Sequence, residues 1–209
     1  MPRTWVLNNF AIVVIGASVG GVTAMRKLVA KLDAQAPIAY FVVLHIGPRE
    51  NRLASILSAA GPLPAEPARH GGAIVPGCIF IAPPDHHLLL DRAAMRLSHG
   101  PRENWSRPAI DPLFRSAARA FGSRVIGVVL TGMLNDGTAG LYEIRQHGGT
   151  TMVQDPGEAE SPDMPASALR HVEIDYWLPL EAIPGVLSDL AHEIAAKHDV
   201  KPYRAGAIQ

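Results

Sequence analysis

Three short apolar runs, each leading into a polar residue able to take part in catalysis, constrain this chain most. The runs cover residues 11–15, 40–44 and 125–130. The polar residues that follow them are Ser18, His45 and Asp136. Short runs of this kind are typical of strands that are buried on both faces, as in a parallel sheet. The carboxyl ends of parallel strands lie along one edge, so we expect a hydroxyl, an imidazole and a carboxylate to meet in one crevice, as nucleophilic acyl transfer requires.

The rest of the pattern predicts one α/β domain over residues 1–209, with its core from about 10 to 196. Helical periodicity follows the first and third runs. Between residues 70 and 99, short apolar runs separated by turn residues predict strands, including a hairpin. Asp111 is expected to cap the next helix, with Pro112 at its first position. The fold class is therefore a doubly wound, mainly parallel sheet with helices on both faces and a small antiparallel hairpin.

Composition argues against several classes of partner. The formal net charge of +0 provides no basic surplus for nucleic acid or for an anionic membrane surface. Cys78 is the only cysteine of the 209 residues, so an intrachain disulfide is impossible. The sequence also shows no secretory signal and no run of about 20 apolar residues. These features predict a cytoplasmic protein that does not insert into a membrane.

Residues 16–20, Gly-Ala-Ser-Val-Gly, match the G-x-S-x-G nucleophile elbow at a strand-to-helix turn. Such a turn exposes the hydroxyl, and the following helix N-terminus favours developing negative charge. A structural glycine turn has the same pattern. Taken singly, a histidine such as His45 is more often a core or edge histidine, and an acid such as Asp136 is more often a helix cap. Together they would serve Ser18 as general base and orienting acid. The chain order Ser, His, Asp differs from that of α/β-hydrolases, which disfavours that fold.

Two alternatives involving a bound cofactor are weaker. Gly16, Gly20 and Gly21 lack the spacing of a dinucleotide fingerprint, and His45 replaces the acid expected after the second strand. The nine histidines are scattered, without paired cysteines or H-x-x-x-H spacing. The acidic segment 155–163 lacks the spacing of a calcium loop. We therefore expect no metal and no organic cofactor.

Several motifs taken in order resemble the catalytic domain of the bacterial chemotaxis receptor methylesterase (CheB) family. They are residues 16–21, 44–48, 79–83, 85–88, 107–114, 130–137 and 164–165. The resemblance covers about residues 10 to 196 and implies a doubly wound, mainly parallel sheet. That family commonly carries an N-terminal receiver domain. Only about ten residues precede the first strand here, so we expect no gating by an attached receiver.

The resemblance also implies an activity. It is hydrolysis of glutamyl methyl esters on chemoreceptors, with deamidation of certain receptor glutamines. By match, Ser18 is the nucleophile, His45 the base and Asp136 the orienting acid. The implied partners are the methylated cytoplasmic helices of chemoreceptors, with the receptor methyltransferase as a further candidate.

A further set of residues is implied to form the pocket. The backbone N–H groups of Met133 and Val19 are candidates for an oxyanion hole, and Arg107, Met164 and Pro165 are candidates for binding substrate.

The chain departs from the family pattern at two positions. Val19 stands where the family usually has Thr, and Leu134 stands where it usually has Gly. These departures leave two other functions open, namely a receptor-binding module without turnover and an esterase or amidase with a substrate outside chemotaxis.

Overall fold

A seven-stranded parallel sheet runs through the centre of the protein. The computed structural model describes residues 9–45 and 52–198 of the chain. The strands are β1 (Ala11–Ala17), β2 (Ile38–Leu44), β3 (Ala65–Pro67), β4 (Ile79–Ile81), β5 (His87–Leu90), β6 (Met95–Ser98), β7 (Val125–Val129), β8 (Thr150–Gln154) and β9 (Tyr176–Leu178). The helices are α1 (Gly21–Val29), α2 (Leu53–Ala60), α3 (Ile110–Phe121), α4 (Thr138–Gln146), α5 (Asp163–His171) and α6 (Ile183–His198), with a 3₁₀ turn at Gly122–Arg124.

The first strand of the chain, β1, lies at the centre of the sheet. The large sheet has the order β3-β4-β2-β1-β7-β8-β9, and every pair of neighbours in it is parallel. From β1 the chain builds outward through β2 to one edge and then through β7 to the other. The order reverses between β1 and β7, so the crevice beyond their carboxyl ends is the topological switch point, where open α/β sheets bind ligands. Ser18 follows β1, and Asp136 follows β7.

Helices cover both faces of this sheet. All seven residues of β1 are buried, and they alternate between two apolar clusters. Val13 and Ile15 belong to the cluster that includes residues of α1, α2 and α6. Ile12 and Val14 belong to the one that includes α3, α4, α5 and the antiparallel pair β5–β6. The expected doubly wound sheet with a small hairpin is confirmed.

The structure differs from the sequence-based expectation at α3 and near the C-terminus. The helix begins at Ile110 with Ala109 at its N-cap, so the assignment of Asp111 as the cap was wrong and Pro112 is the third helical residue. The sequence patterns also gave no indication of the short elements β3, α5 and β9. The strands β3 and β9 have three residues each, too few for a pattern to develop, and α5 begins at Asp163, within the acidic segment 155–163. Within the described ranges, no helix is long and apolar enough to cross a bilayer.

Candidate active site

Backbone hydrogen bonds tie together the ends of the three strands that carry the expected catalytic residues. The Ser18 N–H donates to the Thr131 carbonyl at 3.0 Å, just after β7. The His45 N–H donates to the Ala17 carbonyl at 3.1 Å, at the end of β1. The loops that follow β1, β2 and β7 therefore start from one rigid edge. Residues 46–48 of the motif after His45 lie outside the described residues.

Gly132 allows the closest approach of two of these loops. A Cβ atom at this position would lie 2.9 Å from the Ser18 Cβ and 2.2 Å from the Met164 sulfur. Met164 is fully buried and its N–H donates to the Gly132 carbonyl at 2.9 Å. The first turn of α5 thus packs against the loop after β7 at the point where that loop contacts Ser18. Pro165 is buried beside it.

His45 and Asp136 form the central contact of the site. Nε2 of His45 lies 3.0 Å from Oδ2 of Asp136, and 19% of the histidine side chain but only 3% of the aspartate side chain is exposed. The ring is turned so that this nitrogen, which is buried, has no aligned hydrogen-bond partner within the described ranges. The 3.0 Å separation still allows an ion pair. Among described residues, Ser18 Oγ makes no hydrogen bond to the ring, a looseness that is common without substrate.

Asp136 is held by donors from the region before α3. Its Oδ2 accepts from the Ile110 N–H at 2.7 Å, and its Oδ1 accepts from the Asp111 N–H at 3.1 Å and from Asn104 Nδ2 at 2.6 Å. Burial by itself raises the pKa of Asp136. His45 and the two backbone N–H groups outweigh burial and hold the pKa below its ordinary value. The carboxylate therefore stays ionised next to the imidazole.

A second buried acid lies beside the first. Asp111 accepts from the N–H groups of Gly137 at 3.1 Å and Gly140 at 2.7 Å, at the start of α4. Burial, followed by repulsion from Asp136, raises the pKa of Asp111 to about 6. Asn104 donates to this carboxylate too, at 2.8 Å. The sequence did not indicate that Asp111 binds the start of α4 or that Asn104 binds both acids. Asn104 stands in a polar loop, and only tertiary folding brings it to its partners.

Thr131 joins the elbow loop to the loop before α5. Its hydroxyl donates to the Val19 carbonyl at 2.9 Å and accepts from the Ser161 N–H at 2.9 Å. Its own N–H donates to the Gln154 side chain at 2.9 Å. Within the part of the chain that the structure describes, the N–H groups of Val19 and Met133 have no hydrogen-bond acceptor. Among the described residues, nothing therefore occupies these two donors.

The remaining predicted residue, Arg107, is engaged with the protein. Its guanidinium contacts Asp85 Oδ1 at 2.9 and 2.7 Å and the carbonyls of His99 and Gly100 at 3.1 and 2.8 Å. It therefore fastens the loop before α3 to the turn at Asp85. Leu134 is exposed beside Asp136 with φ at +67°, in the region that favours glycine.

An open parallel α/β sheet that presents a serine, a histidine and a buried acid along one edge is a scaffold on which hydrolases are built. Comparison with known proteins narrows this class. The model of the CheB methylesterase family matches residues 13–187. The chain belongs to the CheB methylesterase family, and it is an enzyme, a hydrolase. In the described ranges, no three His, Cys, Asp or Glu side chains are grouped so as to hold a metal ion.

Individual relatives support the assignment along most of the chain. A Leptospira interrogans protein, provisionally assigned as a protein-glutamate methylesterase/protein-glutamine glutaminase, is 39% identical over 84% of this chain and 92% of its own length. A protein-glutamate methylesterase/protein-glutamine glutaminase of Caulobacter vibrioides is 36% identical over 88% of this chain but only 54% of its own length. The crystal structure of the Thermotoga maritima CheB methylesterase catalytic domain matches with a TM-score of 0.83 and 33% identity, covering 87% of this chain and 99% of that one.

Proposed function

We propose that this protein is a serine hydrolase that removes methyl esters from glutamyl side chains of chemoreceptors through an acyl-enzyme. The observation that carries the proposal is the 3.0 Å contact between His45 Nε2 and the buried Asp136 carboxylate, at the edge that also presents Ser18. A hydroxyl needs an adjacent base to act as a nucleophile at neutral pH, and the base needs a third group to orient it. Ser18, His45 and Asp136 supply these three groups.

The reaction begins with attack of Ser18 Oγ on the ester carbonyl. Because Nε2 of His45 faces Asp136, Nδ1 is the nitrogen left to take the hydroxyl proton. Collapse of the tetrahedral intermediate breaks the bond to the methoxy group, which leaves as methanol with the proton from His45. Water then attacks the acyl-enzyme and gives a proton to the same imidazole. The second tetrahedral intermediate collapses, His45 returns that proton to the departing Ser18 oxygen, and the glutamate side chain is released.

The N–H groups of Val19 and Met133 stabilise the oxyanion in this scheme. Both are without an acceptor among described residues, and the helix α1 begins two residues after Val19. Donors of this kind, placed where charge develops, are typically worth about 2.7–4 kcal/mol each. The substitution of Thr by Val at position 19 removes a hydroxyl but keeps the backbone donor. Attack on a glutamine amide by the same steps would release ammonia, so deamidation is part of the proposal.

The proposal extends to location and partners. The chain acts in the cytoplasm on methylated receptor helices, as one catalytic domain over residues 1–209, with the receptor methyltransferase as a further partner. Arg107, Met164 and Pro165 support the walls of the site, since the guanidinium binds Asp85 and backbone carbonyls and the other two residues are buried.

Release of methanol from a methylated chemoreceptor tests the proposal. The comparison is between wild type, Ser18→Ala and a control, Ser55→Ala, whose serine is exposed on α2. We expect release by wild type and the control and its loss in Ser18→Ala. Unchanged release in Ser18→Ala would contradict the proposal.

An esterase or amidase with another substrate is the second candidate, and Leu134 favours it. This exposed side chain stands two residues before Asp136, where the resemblance implies glycine. Ser18-dependent hydrolysis of simple esters, with none on methylated receptor, would select this function. Saturable receptor binding without any hydrolysis would select a binding module.

A further inference from the structure

Two acids beside the site each cap the N-terminus of the other acid's helix. Asp136, which lies just before α4, accepts from the Ile110 and Asp111 N–H groups at the start of α3. Asp111, which lies in the first turn of α3, accepts from the Gly137 and Gly140 N–H groups at the start of α4. Each carboxylate thus satisfies the free donors and the positive end of the other acid's helix. The two acids are fixed as one unit.

Asn104 joins the two acids directly. Its Nδ2 lies 2.6 Å from Asp136 Oδ1 and 2.8 Å from Asp111 Oδ2. An amide nitrogen carries two protons, so it can donate one to each carboxylate. The mutual repulsion of the acids is thereby offset by a shared donor.

A tight turn delivers this amide. Glu103 and Ser106 pair through both of their backbone groups, at 3.2 and 2.9 Å, and Asn104 and Trp105 occupy the turn with φ of +48° and +62°. Two-residue turns with positive φ at both positions favour Asn and Gly. Arg115 of α3 anchors the turn by holding both oxygens of Glu103 at 2.9 and 2.7 Å. Asn104 is exposed as a whole, yet its side-chain amide reaches the buried carboxylates of Asp111 and Asp136.

We propose that Asn104 is a positioning residue for the reaction, which keeps the Asp136 carboxylate turned toward His45 by bridging it to Asp111. This inference rests on the proposed function for the role of Asp136. Asn104 does not touch the reacting atoms. It acts through Asp136 Oδ1, and this leaves Oδ2 to the imidazole.

Asp111 controls the bridge through its own proton. Oδ1 faces the two N–H donors of α4, so a proton on this acid must sit on Oδ2, the oxygen that faces Asn104. The O–H of protonated Asp111 and the Nδ2–H of Asn104 would then point at each other, so the hydrogen bond between these two side chains would break. The charged side chains that act on Asp111 are Asp136, on the loop after β7, and Arg115, on α3. An Asp111→Asn variant imitates the protonated acid at every pH.

A double-mutant cycle tests the bridge. Asn104→Gly removes the amide and suits the positive φ, and Trp105→Gly is its matched control in the same turn. With a small activated ester, we expect Asn104→Gly and Asp111→Asn each to lower kcat about tenfold, with KM within about twofold of wild type. The kcat of the double variant should lie within about threefold of that of the worse single variant, because both residues act through the Asp136 carboxylate. Trp105→Gly should match wild type.

The titration of Asp111, followed by its carboxyl ¹³C signal, provides a readout without turnover. The hydrogen bond from Asn104 lowers the pKa of Asp111. The midpoint should therefore rise in Asn104→Gly and stay in place in Trp105→Gly, with Asp111→Asn identifying the signal. An unchanged midpoint, a kcat of Asn104→Gly equal to that of Trp105→Gly, or multiplicative losses in the double variant would overturn the inference. Absence of Ser18-dependent turnover in wild type would instead contradict the proposed function, and the titration alone would then decide on the bridge.

Discussion

Gly132 and Met164 leave no space between them for a side chain. A Cβ atom on Gly132 would lie 2.2 Å from the Met164 sulfur and 2.9 Å from the Ser18 Cβ. The loop after β7 and the first turn of α5 therefore fix the position of Ser18. The position of Ser18 thus depends on a glycine that itself carries no reactive group.

A Gly132→Ala variant should lose activity because Ser18 must move. We expect kcat for ester hydrolysis to fall at least about tenfold, since small displacements of reacting groups are costly. Gly185→Ala in α6 is the control, because a Cβ there meets open space. Gly185→Ala should retain the wild-type kcat. Equal rates for the two variants would show that Gly132 does not set the position of Ser18.

Asp136→Asn should weaken folding in a pH-dependent manner. The pKa of Asp136 is lower in the folded protein than its ordinary value, so its ionised form stabilises the fold above about pH 4, and this contribution is lost as pH falls through the folded pKa. Urea unfolding at pH 7 and at pH 3 measures the difference. The variant should be destabilised at pH 7 and approach wild type at pH 3. A larger penalty at pH 3 would contradict the assigned direction.

Asp111→Asn should show the opposite dependence. The pKa of Asp111 is raised to about 6 in the folded protein, so the folded state binds a proton more readily than the unfolded chain between about pH 4 and 6. Wild type therefore loses stability from this group as pH rises through that window, by up to about 2–3 kcal/mol. The stability of the variant relative to wild type should increase from pH 4 to pH 6.5 in urea titrations. A relative stability that falls over this range would contradict the raised pKa.

Leu134→Gly should stabilise the protein, because φ at +67° strains any residue that has a Cβ. We expect Leu134→Gly to unfold with a free energy about 0.5–1 kcal/mol higher than Leu134→Ala, which keeps the strain. Both variants remove the exposed leucine side chain, so any change in KM for receptor substrate should be shared. Equal stability of the two variants would contradict the left-handed geometry.

Thr131→Val should loosen the loops around the elbow. The variant keeps the shape of the side chain but loses the hydroxyl contacts to Val19 and Ser161 at 2.9 Å each. Leaving the buried Ser161 N–H and the part-buried Val19 carbonyl without this partner should lower the free energy of unfolding by about 1–3 kcal/mol. Thr131→Ser keeps the hydroxyl and should lose less. The measurement is the urea midpoint of the three proteins.

The central sheet was predictable because its signals are local. Runs such as 11–15 and 125–130 are apolar on both faces, and residues that follow such strands must lie at one edge. Ser18, His45 and Asp136 could thus be placed near one another without knowledge of any contact. The 3.0 Å pairing of His45 with Asp136 agrees with that expectation.

The contacts that hold the candidate site residues in place could not be predicted from local sequence signals. Asp111 has the appearance of a cap for its own helix, but it caps α4, and only the packing of α3 against α4 decides this. Asn104 offers no pattern, since its two carboxylate partners come from distant segments. The contact of buried Met164 with Gly132 likewise follows from no sequence pattern. Tertiary contacts determine these roles.

The most direct measurement of the central claim is the identity of the residue that carries the acyl group. Wild type mixed with a p-nitrophenyl ester should release a burst of about one p-nitrophenol per enzyme, as an accumulating acyl-enzyme requires. Mass mapping of the quenched protein should place the acyl group on Ser18, and Ser18→Ala should show neither burst nor adduct. An adduct on another residue, or a full burst in Ser18→Ala, would contradict the account.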